Sequence, residues 1–165
     1  MSISEIITIP NPLLRKISQP IENVDEEVVT LVNNLKKTLY FHKNCVGIAA
    51  VQTGVLKRIV VTDVSQSFKE HKNNGPIVMI NPQIVYSSGK LSSREGCLSV
   101  PDFLGQVERK KKIEVEYLDL NEKKQILKTS GFEAIAIQHE IDHLNGKIFL
   151  DRVTSLKTDL FRRKR

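Results

Sequence analysis

The sequence lacks several features that would assign it to a special class of protein. It has no tryptophan, aromatic residues make up only 5% of its 165 positions, and it contains only two cysteines. No apolar run approaches the roughly 20 residues that a membrane-spanning helix requires. The N-terminal segment also lacks a basic stretch followed by an apolar core, which is the pattern of a secretory leader. We therefore expect a cytosolic protein that does not enter a membrane.

The two cysteines, Cys45 and Cys97, are too few to form a disulfide framework. In a cytosolic chain, each thiol is a candidate for metal binding or for reactivity before it is a candidate for cross-linking. Four histidines are available as further ligands. The composition therefore directs attention to the places where cysteine and histidine could meet.

The positive charge is concentrated at one end of the chain. The formal charge is +6, and the four basic residues 162–165 account for all but +2 of it. Such a tail is typical either of solvated surface or of a segment that contacts a polyanion such as RNA. No strand studded with aromatic residues accompanies it, so specific DNA or single-strand binding is not expected. The basic stretch 109–112 is followed by acidic residues and is interpreted as solvated surface.

Length and element order predict a single α+β domain over residues 1–165. A helix is expected from about Asn23 to Tyr40, where apolar residues recur at helical spacing. Strands are expected at 56–64, 77–86 and 113–120, with 125–129 pairing back as a hairpin, and a bulge or sheet edge is expected at Asn81 and Pro82. We thus predict antiparallel β-sheets packed around a central buried helix, with the N-terminal helix and a short C-terminal helix from Ser155.

The central helix is predicted within residues 130–146, SGFEAIAIQHEIDHLNG. Ser130 and Glu133 have the spacing of a capping box, and Gly146 can end the helix in a left-handed conformation. Apolar residues occur nearly all round the helix, which indicates burial. The segment contains an H-E-x-x-H pattern formed by His139, Glu140 and His143.

This pattern predicts a metal site. Two histidines four residues apart project from one helix face and can bind one divalent ion, and Glu140 lies where it can exchange a proton with bound water. A structural role for the histidines is the alternative. However, burying two imidazoles with Glu140 and Asp142 costs several kcal/mol unless each group is paired or ligated.

A metal site of this type needs a third protein ligand. The candidates are the two cysteines, His42 and His71. His71 lies in a polar loop and His42 follows a helix, and neither has a ligand signature. Cys97 is better placed, in a turn-like segment between strands, because one cysteine, two histidines and a water form a known catalytic composition.

Gln52 is a second polar residue of interest. It emerges from a small, apolar stretch, 46–51, in which Gly47 permits close backbone approach. From physical chemistry alone, a surface position for Gln52 in a packed turn and a functional role are equally well supported.

Three motifs, in this order along the chain, resemble those of the peptide deformylases. They are Gly47 to Gln52 (GIAAVQ), Glu95 to Ser99 (EGCLS) and Gln138 to Gly146 (QHEIDHLNG). The segments Pro10 to Arg15 and Ile80 to Pro82 are also similar, so the resemblance spans nearly the whole chain. H-E-x-x-H alone is shared by many metallohydrolases, but its combination with the other two motifs is highly specific.

The resemblance implies a bacterial, cytoplasmic enzyme that removes the N-formyl group from formyl-methionine on nascent polypeptides. It implies that Cys97, His139 and His143 bind one divalent ion, with Fe²⁺ as the usual native metal and Zn²⁺ or Ni²⁺ in some members. It further implies that Glu140 acts as general base and acid. The side chain of Gln52 and the backbone N–H of Leu98 would stabilise charge on the formyl oxygen.

The resemblance also suggests which residues surround the substrate. The expected substrate-binding residues are Gly47, Ile48, Glu95, Phe132 and Ile135. A pair between Glu95 and Arg109 would brace the groove, with an ordinary surface salt bridge as the alternative.

Two positions depart from the family pattern. Cys45 stands where a further glycine is usual, and Leu104 stands at about the place where many bacterial members have an arginine. These departures motivate two alternatives. One is a deformylase-like hydrolase with altered acyl or peptide preference, and the other is a non-catalytic relative that binds ribosomes or RNA.

Overall fold

The computed structural model describes residues 2–164 and has the expected α+β architecture, with two α-helices and two antiparallel sheets. The α-helices and strands are, in chain order, α1 Glu26–Phe41, β1 Gly47–Ala49, β2 Ile59–Asp63, β3 Pro76–Ser88, β4 Leu91–Cys97, β5 Val100–Arg109, β6 Lys112–Leu118, β7 Lys124–Ser130, α2 Phe132–Leu144 and β8 Leu160–Arg162. Short 3-10 helices lie at Pro12–Arg15, Ala50–Thr53, Val64–Gln66 and Phe149–Arg152. Within these residues, neither α-helix combines the length and apolar character that crossing a membrane would require.

The larger sheet has the order β1-β2-β3-β6-β7, and the smaller sheet has the order β4-β5-β8. Successive side chains of β2 alternate between the two faces of the larger sheet, and each face packs against one of the two α-helices. Ile59 and Val61 belong to the apolar cluster formed with α1, whereas Val60 belongs to the cluster formed with α2. Side chains of successive strand residues point to opposite faces. The two helices therefore cover opposite faces of the sheet, which is why all of β2 is buried.

The predicted hairpin and bulge are confirmed. β6 and β7 pair along their full lengths, and the ladder between β3 and β6 shifts register between Ile80 and Gln83. Asn81, inside this bulge, has a φ of 50°, and its side chain accepts from the backbone N–H of Ile21 and donates to the carbonyl of Ile21. The bulge therefore ties the larger sheet to the segment before α1.

Both helix starts differ from the predictions. Helix α1 begins at Glu26 because Asp25, rather than Asn23, caps it by accepting from the N–H of Val28. The predicted capping box at α2 is wrong, since Gly131 is the N-cap and has no side chain. The Glu133 carboxylate instead accepts from the backbone N–H of Asn74 at 2.8 Å and from the Thr129 hydroxyl at 2.8 Å.

The short C-terminal helix predicted from Ser155 is also wrong. Residues 156–158 form a single turn, and the chain then continues as β8 along the free edge of β5. The physical reason lies in β5, whose outer edge would otherwise leave backbone donors and acceptors without partners. The sequence does not predict the β4–β5 hairpin, in which the turn-like segment around Cys97 is the end of β4 and its turn into β5.

Candidate active site

Helix α2 carries the two histidines of the H-E-x-x-H pattern on one face. Every residue of this helix except Phe132 is buried. Ile137, Ile141 and other apolar residues of α2 pack on the larger sheet. The rings of His139 and His143 lie with their centroids 5.1 Å apart, and their polar contacts are with the smaller sheet. The helix therefore lies between the two sheets and presents both imidazoles to the β4–β5 hairpin.

Cys97 lies at the end of β4, where the hairpin turns into β5. It pairs with Val100 across this tight turn, and its Sγ atom is 3.4 Å from Nε2 of His143. One ligand atom from each of Cys97, His139 and His143 can be chosen so that all three lie within 4.8 Å of one another, and all three residues are buried. One sulfur and two nitrogens form a donor set that fits zinc and other transition-metal ions. These residues could therefore hold a metal.

The electrostatics of this group favour a thiolate. Although burial opposes ionisation, the charge and hydrogen bonds of His143 and His139 lower the pKa of the Cys97 thiol well below its ordinary value. Burial also opposes protonation of His139, but Glu140, Cys97 and Glu95 raise the pKa of His139 well above its ordinary value. A thiolate is the form of cysteine that ligates metals. A divalent cation bound here would stabilise the Cys97 thiolate in place of the positive charge of a protonated histidine.

A buried network of ion pairs orients His139. Oε1 of Glu95 lies 2.9 Å from Nδ1 of His139, and Arg109 donates to both oxygens of Glu95 at 2.6 and 2.9 Å. Arg109 also donates to Asp142 at 2.8 Å, and Arg152 donates to both oxygens of Asp142. A carboxylate on the second ring nitrogen holds an imidazole in one tautomer and orientation. The network therefore directs Nε2 of His139 away from Glu95, toward the thiolate.

Arg109 is buried and paired, which corrects the interpretation of residues 109–112 as solvated surface and bears on the predicted pair with Glu95. The side chains of Arg109 and Glu95 are only 2% and 6% exposed, so Arg109 is not part of a solvated basic surface. The predicted pair between Glu95 and Arg109 is present, and it is internal. The Glu95 carboxylate is therefore engaged by Arg109 and His139, and its predicted contact with a substrate stays a prediction.

Glu140 lies next to the ligand group and is buried. Its carboxylate is buried, and within residues 2–164 its Oε1 atom has no hydrogen-bond partner. Burial raises the pKa of Glu140 above the ordinary glutamate value, despite the opposing charges of His139 and His143. A side chain at Gly47 would bring its Cβ atom within 2.7 Å of Oε2 of Glu140. The absence of a side chain at position 47 thus makes room for this carboxylate.

Gln52 is buried beside the ligand group and is not at the surface. Its Nε2 atom donates to Sγ of Cys97 at 3.4 Å and to the Ser99 hydroxyl at 3.2 Å. Its Oε1 atom accepts from the backbone N–H of Ala49 at 3.0 Å. This last bond fixes the amide orientation, so that the NH₂ group faces the cysteine. Leu98, whose backbone N–H is the second predicted donor to the formyl oxygen, follows Cys97 directly in the same turn.

A groove of about 560 Å³ leads to the ligand group. Of the predicted substrate-binding residues, Gly47, Glu95, Phe132 and Ile135 line it. Ile48 does not, since its side chain is fully buried in the cluster beneath α1. Strand alternation explains this, because Gly47 and Ile48 point to opposite faces of β1. The Ile48 side chain therefore lies away from the groove, and a substrate contact of this residue stays a prediction.

Two contacts in or beside the groove were not predicted from the sequence. His71 stacks on Phe132, with ring centroids 4.2 Å apart, rather than being solvated. Arg163 also lines the groove, although the sequence placed it in a free tail. No local pattern indicates either contact. The pairing of Asp142 with Arg109 and Arg152 agrees with the sequence analysis, because a carboxylate in so apolar a helix requires a partner.

The two positions that depart from the family pattern both line this groove. Cys45 is buried and donates weakly from Sγ to the carbonyl of Gly47 at 3.3 Å. Burial and the nearby Glu140 raise the pKa of the Cys45 thiol to about 12, so it stays protonated and neutral at physiological pH. Leu104 lies against Gly96, where a Cβ atom would approach its Cδ2 atom to 2.7 Å.

Comparisons with known proteins agree with this geometry. The family model for polypeptide deformylase matches residues 3–159. A peptide deformylase of Rhizobium meliloti is 42% identical over 99% of this chain and 92% of its own length. A crystal structure of the Ehrlichia chaffeensis peptide deformylase with actinonin superposes with a TM-score of 0.87 at 40% identity, covering 95% of this chain and 92% of that one. A Met-Ala-Ser-bound class I type b peptide deformylase from Acinetobacter baumannii has a TM-score of 0.83 at 33% identity, with coverages of 92% and 98%.

Proposed function

Because the chain belongs to the polypeptide deformylase family, we propose that it removes the N-formyl group from the N-terminal formyl-methionine of newly made polypeptides and releases formate. The main support is the meeting of Cys97, His139 and His143 with Glu140 in one groove. A solved relative from A. baumannii binds Met-Ala-Ser, a peptide that begins with methionine. Residues 1–165 would act as one catalytic domain in the bacterial cytosol, where such nascent chains occur.

Cys97, His139 and His143 would hold one divalent ion. When bound, such an ion lowers the pKa of a coordinated water toward neutrality and polarises the formyl carbonyl. We propose Fe²⁺ as the native metal, with Zn²⁺ or Ni²⁺ as replacements, because one thiolate and two imidazoles suit all three. The Glu95 carboxylate keeps His139 oriented throughout the reaction.

Glu140 is the proposed proton carrier. It accepts a proton from the attacking water and delivers it to the nitrogen of the methionine that leaves. The raised pKa of Glu140 suits both steps, since a carboxyl group with an ordinary pKa would be a weaker base. Burial of its carboxylate supplies this shift, and the other carboxylate of the groove among the described residues, that of Glu95, is paired.

The formyl oxygen would be held by two neutral donors, the Gln52 NH₂ group and the Leu98 backbone N–H. Donors that are positioned before the reaction stabilise developing negative charge without reorganising. The bond from Ala49 to the Gln52 oxygen provides that positioning. The apolar side chains of Phe132 and Ile135 are the proposed contacts of the substrate methionine.

Replacement of Gln52 by leucine is expected to lower kcat by about 10²- to 10³-fold, because one donor to the oxyanion is lost. Metal content should stay unchanged, since Gln52 is not a ligand. Ser99→Ala is the matched control, because it removes the other polar partner of the amide and leaves the donor in place. Equal losses in both variants would show that Gln52 only braces the turn.

The proposed function is tested by following formate release from formyl-Met-Ala-Ser by anaerobic, Fe²⁺-loaded protein. We expect metal-dependent formate production and no hydrolysis of acetyl-Met-Ala-Ser. Hydrolysis of the acetylated peptide at a similar rate would favour the alternative of an altered acyl preference. Absence of formate from fully loaded protein, together with ribosome binding, would favour a non-catalytic relative.

We propose in addition that the exposed cations of the C-terminus, Arg162 and Lys164, approach ribosomal RNA. The double variant Arg162→Ala/Lys164→Ala should co-sediment less with ribosomes and show a weaker salt dependence, while its turnover of small peptides stays unchanged. Removing residues 161–165 is a poorer test, because Phe161 belongs to β8 and Arg163 to the groove. Undiminished co-sedimentation of the double variant at low salt would refute this contact.

A further inference from the structure

Strand β8 brings one basic residue of the C-terminal tail into the groove. Phe161 pairs with Leu104 of β5, and the backbone N–H of Arg163 donates to the carbonyl of Asp102 at 2.8 Å. The Arg163 side chain then lies over Gly96, and any side chain at position 96 would overlap its guanidinium. Gly96 directly precedes Cys97. The guanidinium of Arg163 is therefore held close to the residues that could bind a metal. Arg163 lies outside residues 3–159, the part of the chain that the family model matches.

Three basic side chains line the groove. Arg94 and Lys43 line it together with Arg163, and Arg94 is held with Cζ 3.9 Å from the centroid of the Phe161 ring. Over residues 2–164, no ion pair involves any of these three cations. Among the described residues, the acids that line the groove are Glu95, which is paired internally, and Glu140, which lies next to the ligand group. An approaching peptide would therefore meet uncompensated positive charge.

We propose that Arg163 is a specificity-determining residue that favours substrates with an acidic side chain directly after the formyl-methionine. The inference rests on the proposed function and identifies the class of peptide that this groove prefers. The formyl group must reach the ligand group, so the following residues extend along the groove toward its entrance. A carboxylate there would approach the guanidinium, whereas a lysine would be repelled by it.

The test compares formyl-Met-Glu-Ser, formyl-Met-Gln-Ser and formyl-Met-Lys-Ser. In the wild-type protein, kcat/KM should be about two- to fivefold higher for the glutamate peptide than for the lysine peptide, which is the scale of a partly solvated ion pair. The preference should shrink with added salt. In Arg163→Met this preference should shrink to what Arg94 and Lys43 contribute, and in Arg163→Glu it should shrink further. Both variants keep the backbone N–H that anchors the strand, and metal content and thermal unfolding verify that they are folded.

Arg162→Met is the matched control, since Arg162 is exposed, lies on the same strand and does not line the groove. It should retain the wild-type preference. Equal kcat/KM for the three peptides in the wild type, or an unchanged preference in Arg163→Met, would overturn the role of Arg163 and leave the deformylase activity standing. Absence of formate from all three peptides would instead overturn the proposed function itself.

Discussion

Replacement of Glu140 by alanine is expected to reduce formate release by about 10²- to 10⁴-fold, the usual contribution of a general acid–base group. The loss should appear in kcat at every pH at which the protein is folded, because no other carboxylate of the groove is unpaired among residues 2–164. Metal content, measured on the same preparation, should match that of the wild type. Turnover close to the wild-type rate with metal bound would rule out this role for Glu140.

A second variant separates catalysis from structure. Glu140→Gln keeps the size of the side chain and removes a buried carboxylate whose Oε1 atom has no partner in the described part of the chain. Because burial raises the pKa of Glu140, the folded state disfavours its charge, so a neutral amide of the same size should not lower the free energy of unfolding. Glu108→Ala, at an exposed position of β5, is the control for nonspecific effects. A marked loss of stability in Glu140→Gln would show that the residue supports the fold.

The second large effect is expected on stability, from replacing Arg109 by methionine. Arg109 connects Glu95 with Asp142, and all three side chains are at most 9% exposed. Removing one member of a buried ion pair leaves an uncompensated charge and typically costs about 3–5 kcal/mol. For a chain of this size, that loss corresponds to a decrease in Tm of roughly 6–20 °C. Lys110→Met, at the adjacent exposed position, should change Tm little.

The same variant has a signature in its pH dependence. Although burial favours the neutral acid, the hydrogen bonds from Arg152 and Arg109 lower the pKa of Asp142 below its ordinary value. A lowered pKa in the folded state adds stability above the unfolded-state pKa of about 3.9, and this stability is lost as the pH falls through the folded-state value. The difference in unfolding free energy between wild type and Arg109→Met should therefore narrow in acid. A constant difference down to the acid transition would contradict the ionic origin of the effect.

The chemistry of the site was largely predictable from local patterns. Helical spacing alone places His139 and His143 on one face, and the apolar surroundings of the helix make their burial costly unless they have a function. Gln52 was undecided from the sequence. Its burial depends on contacts with Ala49 and with Ser99, which is 47 residues away along the chain. Such long-range contacts leave no local periodicity.

The errors in the fold have related causes. Residues after Ser155 have helical character, but the free edge of β5 offers backbone partners that a single helical turn cannot match. Likewise, Ser130 has the chemistry of an N-cap, whereas Glu133 finds stronger partners in Asn74 and Thr129. In both places tertiary hydrogen bonds override a local preference. The consequence for function is that a tail predicted to be free becomes part of the groove wall.

Anaerobic titration of metal-free protein with Fe²⁺ tests the central claim most directly, with formate release from formyl-Met-Ala-Ser recorded at each addition. A single site formed by Cys97, His139 and His143 predicts that activity rises from zero, increases in proportion to the iron added and stops rising at one equivalent. Cys97→Ala should bind the ion weakly and stay inactive. Formate release by metal-free protein, or none at saturating Fe²⁺, would contradict the account.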